Sequence, residues 1–380
     1  MKGRSTYNAA RTVAKAVENH FAQHRGDALQ RGEKVLAPLP QASVIESVID
    51  AAFWASLRRE EGISPKISLA FLPPELAGQP LLFEKPLPLT SGVLTKLGPG
   101  VERAGIHLGV WFEKNELFIW GTTLEIQSYS FVLDVPEPGL LVIKHRRIDR
   151  YGKFANVAVL KGDQIKIIDE QSSSLPKCPK LLTSLLGFTD PASWNESVNV
   201  LVLLAVSMRA HGRGGTLLVV PKEGGSWRDS IVKPMQYAIT PVFPGLANLM
   251  RQDENERNRS FWQRSLRREI DNIAGLTAID GAVIISNQFE LLAFGAKITR
   301  PAEALPVEQM VVTEPVVGNK AIVVNPAQHG GTRHLSAAQF VHDQREAMAL
   351  VASQDGRFTI FAWSPCENKV HAHRIDTLLL

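Results

Sequence analysis

The sequence predicts an α/β protein in two parts: a C-terminal mixed sheet flanked by helices, preceded by a strand-rich α+β N-terminal domain. Three observations carry this. Between about 65 and 170, short alternating apolar runs pair around polar turns, as hairpins do. Proline and glycine punctuate the segments between them ("LPPELAGQP", "EKPLPLTSG", "DVPEPG"), as loops joining short strands require. From about 193 the rhythm changes to helices alternating with strands, the sign of an α/β domain. A chain of 380 residues exceeds one ordinary domain. The expected domains are 1–190 and 191–380, joined through a linker at 171–192 where Ser and Pro cluster.

Residues 4–24 suit a loosely amphipathic helix. A stronger helix over 43–60 repeats Val44, Val48, Ala51, Ala52 and Ala55 at helical spacing. Ser43 is its expected N-cap, with Glu46 completing a capping box and Gly62 following the end. "HLGVWFEKNELFIWGTT" (107–123) and "FANVAVLKGDQIKIID" (154–169) read as hairpins. In the second half a buried helix (194–210) leads into the glycine-broken strand "GRGGTLLVVP". The strand pair "DGAVIISNQFELLAFGA" (280–296), a strand at 321–325, a helix from about 333 to 346 and the pair 347–363 follow. Trp54, Trp111, Trp120 and Phe112 are assigned to the N-terminal core.

Composition excludes several classes. A hydrophobic fraction of 44% with 21% charged residues is that of a globular chain. A net charge of +4 favours anionic ligands mildly and is too small to argue for nucleic acid. The mixed-sign stretch 251–269 reads as a solvated helix or insertion, and 144–150 as a strand end facing water. Cys178 and Cys366 form neither a disulfide framework nor a metal spacing, which fits a reducing cytoplasm. The longest apolar run, "VNVLVLLAVSM" (198–208), is about half of a bilayer crossing, and the basic N-terminus lacks the apolar core of a secretory signal. A soluble cytoplasmic protein without membrane contact is expected.

The stretch "HGGTRHLSAAQF" (329–340) places flexible residues and an arginine at a helix start. A helix N-terminus exposes backbone N–H groups and the positive end of the dipole, so anions bind there. Gly330 and Gly331 can take positive φ and let a ligand approach. Thr332 can cap, Arg333 matches phosphate oxygens bidentately, and His334 adds a third donor. A plain surface turn explains the same residues equally well. Earlier, Asp280 stands directly before a strong β run. Gly281 and Ala282 leave room there for a ligand against the backbone, and the carboxylate could hold Mg²⁺, although an Asp-Gly alone is more often a turn.

In this order, Asp280-Gly281-Ala282 opening a strand and Gly331-Thr332-Arg333-His334 opening a helix resemble the diadenylate cyclase (DAC) domain family. "GGTLLVVP" and "REAMALVASQDGRFTIF" are similar to its neighbouring strands, so the resemblance spans about 195–365. It implies a nucleotide site formed by Asp280, Gly281, Ala282, Gly331, Thr332, Arg333 and His334, with Mg²⁺ or Mn²⁺ at Asp280 and two protomers facing each other. A pure sensor would need no metal. Two departures weigh against catalysis. Leu335 stands where the family has a second arginine, and Ala352-Ser353-Gln354 stands where it has a carboxylate-bearing stretch. Phosphoryl transfer depends on metal and cations neutralising charge. "DAAFWASLRREEG" and "PGLLVIKHRRIDRYGKFANVAVL" resemble the DACNV-type sensor branch, whose members are inferred to detect nucleotides in bacterial stress or anti-phage systems.

The remaining histidines form no metal pattern; His371 and His373 are expected to point outward from a frayed strand. "HGRGGT" (211–216) lacks the Lys-Ser/Thr of a P-loop and reads as a turn. The sequence therefore predicts a catalytically silent sensor of a nucleotide or cyclic dinucleotide, homo-oligomeric and acting on an effector protein. The alternatives are an active diadenylate cyclase, with Asp280 as its catalytic residue, and an interaction module with a vestigial pocket.

Overall fold

The computed structural model describes residues 5–33, 36–113, 116–146, 154–169, 199–257 and 259–380. The expected linker, the expected boundary at 190 and Cys178 lie outside the described residues. The chain divides into two compact units, Met1–Ile168 with Leu380, and Asp169–Leu379. Both are mixed sheets packed with helices, the first strand-rich, so the predicted fold class holds.

The first unit contains α1 (Asn8–Gln30), α2 (Ala42–Ser56) and α3 (Ser91–Leu97). Its strands are β1 (Ile67–Phe71), β2 (Leu81–Pro88), β3 (His107–Glu113), β4 (Glu116–Thr123), β5 (Phe131–Glu137), β6 (Leu140–Arg146), β7 (Phe154–Lys161) and β8 (Gln164–Ile167). They form one sheet in the order β2-β4-β3-β1-β5-β6-β7-β8, with β1 and β3 parallel. Val13, Val17 and Phe21 of α1 and Ile45, Val48 and Ile49 of α2 recur at helical spacing, and bury against Leu69, Leu108, Phe131 and Leu141. Asp50 of α2 accepts from the Thr6 and Tyr7 amides at 2.9 and 2.8 Å, capping the start of α1 from its neighbour.

Ser43 is not the N-cap of α2. Gln41 is, without a side-chain cap bond, because the chain is already extended at Gln41 after Pro40 and turns helical at Ala42. Glu46 instead pairs with Arg11 of α1 at 3.5 Å. Trp120 is buried and donates from Nε1 to the Leu72 carbonyl at 2.9 Å. Its indole lies over Gly109, where any Cβ would come within 2.0 Å of the ring. Trp54 and Phe112, expected in the core, are exposed; Trp54 spends its N–H on the Thr6 hydroxyl at the surface.

In the second unit the helices are α4 (Val200–Ala210), α5 (Gly245–Met250), α6 (Glu254–Arg257), α7 (Ser260–Leu276) and α8 (Thr332–Asp343). The strands are β9 (Gly215–Val220), β10 (Tyr237–Phe243), β11 (Ala282–Ser286), β12 (Leu291–Ala296), β13 (Met310–Thr313), β14 (Ile322–Val324), β15 (Met348–Ala352), β16 (Phe358–Ser364) and β17 (Lys369–Arg374). Their order is β10-β12-β11-β9-β15-β16-β17-β13-β14. Helices α4 and α7 cover one face through Leu204, Met208, Leu266, Ile270 and Ile273. Helix α8 covers the other through Ala337, Ala338, Phe340 and Val341. The charged segment 251–269 runs into the expected helix, α7, whose charged face is exposed while Trp262 and Leu266 anchor it to the core.

β17 also departs from expectation. It lies inside the sheet between β16 and β13, and both His371 and His373 are fully buried. Val370 and Ala372 fill the core beneath α8, and His373 Nδ1 meets the Thr313 hydroxyl at 2.6 Å. Val370, His371, Ala372 and His373 are all buried, so the strand has no solvent side on which to show its polar residues.

One property of this topology positions the site. β11 runs parallel to β9, and β15 runs antiparallel to β9 with Ala352 opposite Gly215. The starts of β9 and β11 and the end of β15 therefore share one edge of the unit.

Candidate functional site

Asp280 immediately precedes β11, and its side chain is 88% exposed. The next residue, Gly281, has φ +110°, and a Cβ there would lie 2.4 Å from the Gly295 carbonyl carbon. The space at Gly281 is filled by another backbone, so this glycine exists to let β11 and β12 cross. Gly295 in turn abuts the ring of Tyr237, which stacks on Phe294 with centroids 4.8 Å apart. Ala282 pairs with Ala296 and Thr216, and its methyl is buried in the core under α8.

The pairing of Ala282 with Ala296 brings Lys297, the residue after β12, beside the Asp280–Gly281 turn. The Lys297 ammonium donates to Asp280 Oδ2. That hydrogen bond and the ammonium charge, with the Arg333 guanidinium adding a smaller pull, hold the Asp280 carboxyl below its usual range. Asp280 and Arg333, distant in sequence, therefore act on one another here.

At the other motif, Gly330 has φ +122° and Gly331 is the N-cap of α8 at φ −86°. Thr332 is the first helical residue and caps nothing. The reversal is completed at Gly330, which leaves Gly331 extended and without a side chain over the helix end. The Gly331 carbonyl accepts from the His334 and Leu335 amides. Among the described residues no acceptor meets the Thr332 and Arg333 amides, and both residues are exposed. The helix start is open.

Arg333 reaches back over the turn before β9. A Cβ on Gly214, whose φ is +70°, would be 3.0 Å from Arg333 Nη1 and 3.2 Å from the Ala352 carbonyl. Gln354 Nε2 donates to the Arg213 carbonyl at 3.4 Å, closing the same corner. This turn is held firmly. The Arg213 amide donates to His211 Nδ1 at 3.1 Å, so Nε2 carries the ring proton and donates to Thr277 Oγ1 at 3.0 Å. Burial, then the nearby Arg213 charge, lowers the His211 pKa and favours that neutral form.

His334 turns away from the open helix end. Its Cβ packs under Gly330, its Nε2 lies 3.3 Å from Thr359 Oγ1, and its ring meets Phe361 edge-on. Burial lowers its pKa, so it is a neutral ring at pH 7. Leu335 packs against the core beneath α8.

The corner thus unites Asp280, Gly331, Thr332 and Arg333 with the 211–214 turn, which reads in sequence as a turn without a role at the site, and with Lys297 and Tyr237, which sequence reasoning passed over. None carries a spacing signal; only strand pairing brings them in. A divalent cation fits this corner poorly. The sole carboxylate of the motif is already bonded to an ammonium, and Gln354 offers an amide where a second carboxylate would be needed; hard cations want several oxygens. Among the described residues no cluster of three His, Cys, Asp or Glu side chains could hold a metal ion.

A cavity of about 720 Å³ lies elsewhere, at the C-terminal end of α8, lined among others by Leu305, His342, Arg345, Trp363 and Lys369. It lies at the opposite end of α8 from the motif residues; there Gln339 donates to both oxygens of Asp343, and the Arg345 guanidinium lies 4.2 Å from the Trp363 ring centroid. Among the described residues no helix is long and apolar enough to cross a membrane. No curated protein matches the chain. Residues 34–124, within the first unit, match a family model described as "Probable sensor domain DACNV"; the match contains all of "DAAFWASLRREEG" (50–62) and stops short of "PGLLVIKHRRIDRYGKFANVAVL" (138–160).

Proposed function

We propose that the protein is a nucleotide sensor whose second unit holds the phosphates of a nucleotide or cyclic dinucleotide at the start of α8. The observation that carries this reading is the convergence of Arg333, the open amides of Thr332 and Arg333 and the Asp280–Lys297 pair at one end of the sheet. Open helix amides and an exposed guanidinium are complementary to phosphate oxygens. The sensor-domain match at 34–124 supports a sensing role, and the DAC resemblance of the second unit supports an adenine nucleotide. The Tyr237 ring, 40% exposed and backed by Phe294, supplies a surface for the base.

Arg333→Ala is expected to weaken binding of ATP or cyclic di-AMP about ten- to a hundredfold, from one charge-assisted contact of roughly 1.5–3 kcal/mol. Isothermal titration decides it, with the melting temperature as control; unchanged affinity would place the phosphate site elsewhere. The same geometry disfavours synthesis. Leu335 packs against the core and carries no charge, and Gln354 is uncharged, so ATP with Mg²⁺ or Mn²⁺ is expected to give no dinucleotide above background by mass spectrometry. Several turnovers per protomer, abolished in Asp280→Asn, would restore the cyclase reading.

A further inference from the structure

We propose that the Lys297 ammonium takes the place of the divalent cation at Asp280, so that this corner holds a polyphosphate without metal. The inference rests on the nucleotide-binding reading and adds to it the charge that does the binding.

Lys297 is placed by the sheet rather than by chance at the surface. The Gly281–Gly295 crossing brings β11 and β12 into backbone contact. The Ala282–Ala296 pairing then sets Lys297 beside Asp280, and the Lys297 carbonyl accepts the Val232 amide at 2.9 Å. Its ammonium meets the one carboxylate that a metal would require. A doubly charged cation would have to displace that ammonium while Arg333 already acts on the same carboxylate, which like-charge repulsion opposes. Gln354 supplies no second carboxylate, since it is an amide that points its nitrogen at the Arg213 carbonyl, and among the described residues no three His, Cys, Asp or Glu side chains gather to hold a metal. Asp280 therefore draws an ammonium to the corner instead of coordinating an ion. Lysine serves as a point charge for phosphate, with Arg333 as the planar fork beside it.

The test is titration of the full-length protein with ATP, cyclic di-AMP and inorganic tripolyphosphate, each in EDTA and in excess Mg²⁺, for the parent, Lys297→Met and Lys297→Arg. At least one probe is expected to bind the parent in EDTA. Lys297→Met should lose tenfold or more in EDTA, and Lys297→Arg should recover most of it. Parent binding that appears only with Mg²⁺, or a Lys297→Met that binds like the parent in EDTA, overturns the inference and leaves the nucleotide site standing. A folded parent that binds none of the three probes in either condition removes both.

Discussion

Two glycines of the motif stretches have opposite reasons to be there. At Gly281 the backbone is in the left-handed region and a Cβ would strike the Gly295 carbonyl carbon at 2.4 Å. Gly331 has an ordinary φ and nothing within 4 Å of its would-be Cβ. Gly281→Ala should therefore destabilise the second unit by about 1–3 kcal/mol from backbone strain, with overpacking adding to it. Gly331→Ala should change the melting temperature little, the N-cap difference being small, while crowding the phosphate approach and weakening ATP binding. Thermal melts and titrations of both variants separate a glycine that serves the fold from one that serves the ligand. Sequence alone could not, because a motif records which residue recurs and not which neighbour forbids its Cβ. Lys297 shows the converse: it matters here through a cross-strand partner, and a single lysine after an apolar run looks like any strand end.

Among the elements, β17 makes the most specific demand on pH. Burial first, and its neighbour His371 next, lower the His373 pKa to about 3. An unfolded histidine titrates near 6.5. Between these values the unfolded chain binds a proton that the folded chain refuses, so stability is fully present above about 6.5 and is lost as pH falls toward 3. The slope approaches about 1.4 kcal/mol per pH unit for one such group. Melting temperature followed from pH 7 to pH 4 should fall steeply, and less steeply in His373→Gln; parallel curves would exclude this histidine as the cause. The sequence read this strand correctly as a strand and misjudged its setting, since alternation of His with Val and Ala looks the same in a solvated edge and in a sheet covered on both faces. The pairs β11–β12 and β15–β16 and helix α8 were legible because long apolar runs and turn residues agree there. β10 was not: Pro241 interrupts it and its side chains are largely exposed, as an edge strand allows.

For the molecule as a whole, each unit carries its own core and its own sheet. The sensor-domain match falls in the first unit and the candidate ligand corner in the second. If two such corners close on one symmetric ligand, the contact is isologous, and cyclic di-AMP should shift the sedimentation coefficient to that of a dimer or larger species. A protein that stays monomeric at saturating cyclic di-AMP would rule that assembly out.

The pairing of Gly215 with Ala352 has a consequence for how the protein comes to exist. β9 is made early in the second unit, yet one of its two neighbours is made near the end of the chain, and so is the helix that carries Arg333. Joining such distant segments is slow, since the loop between them must be closed before any contact rewards it. During synthesis the Asp280 side of the corner emerges first and waits. Only a chain translated past β15 can gather the Lys297 ammonium, the Arg333 guanidinium and the open helix amides at one end of a closed sheet.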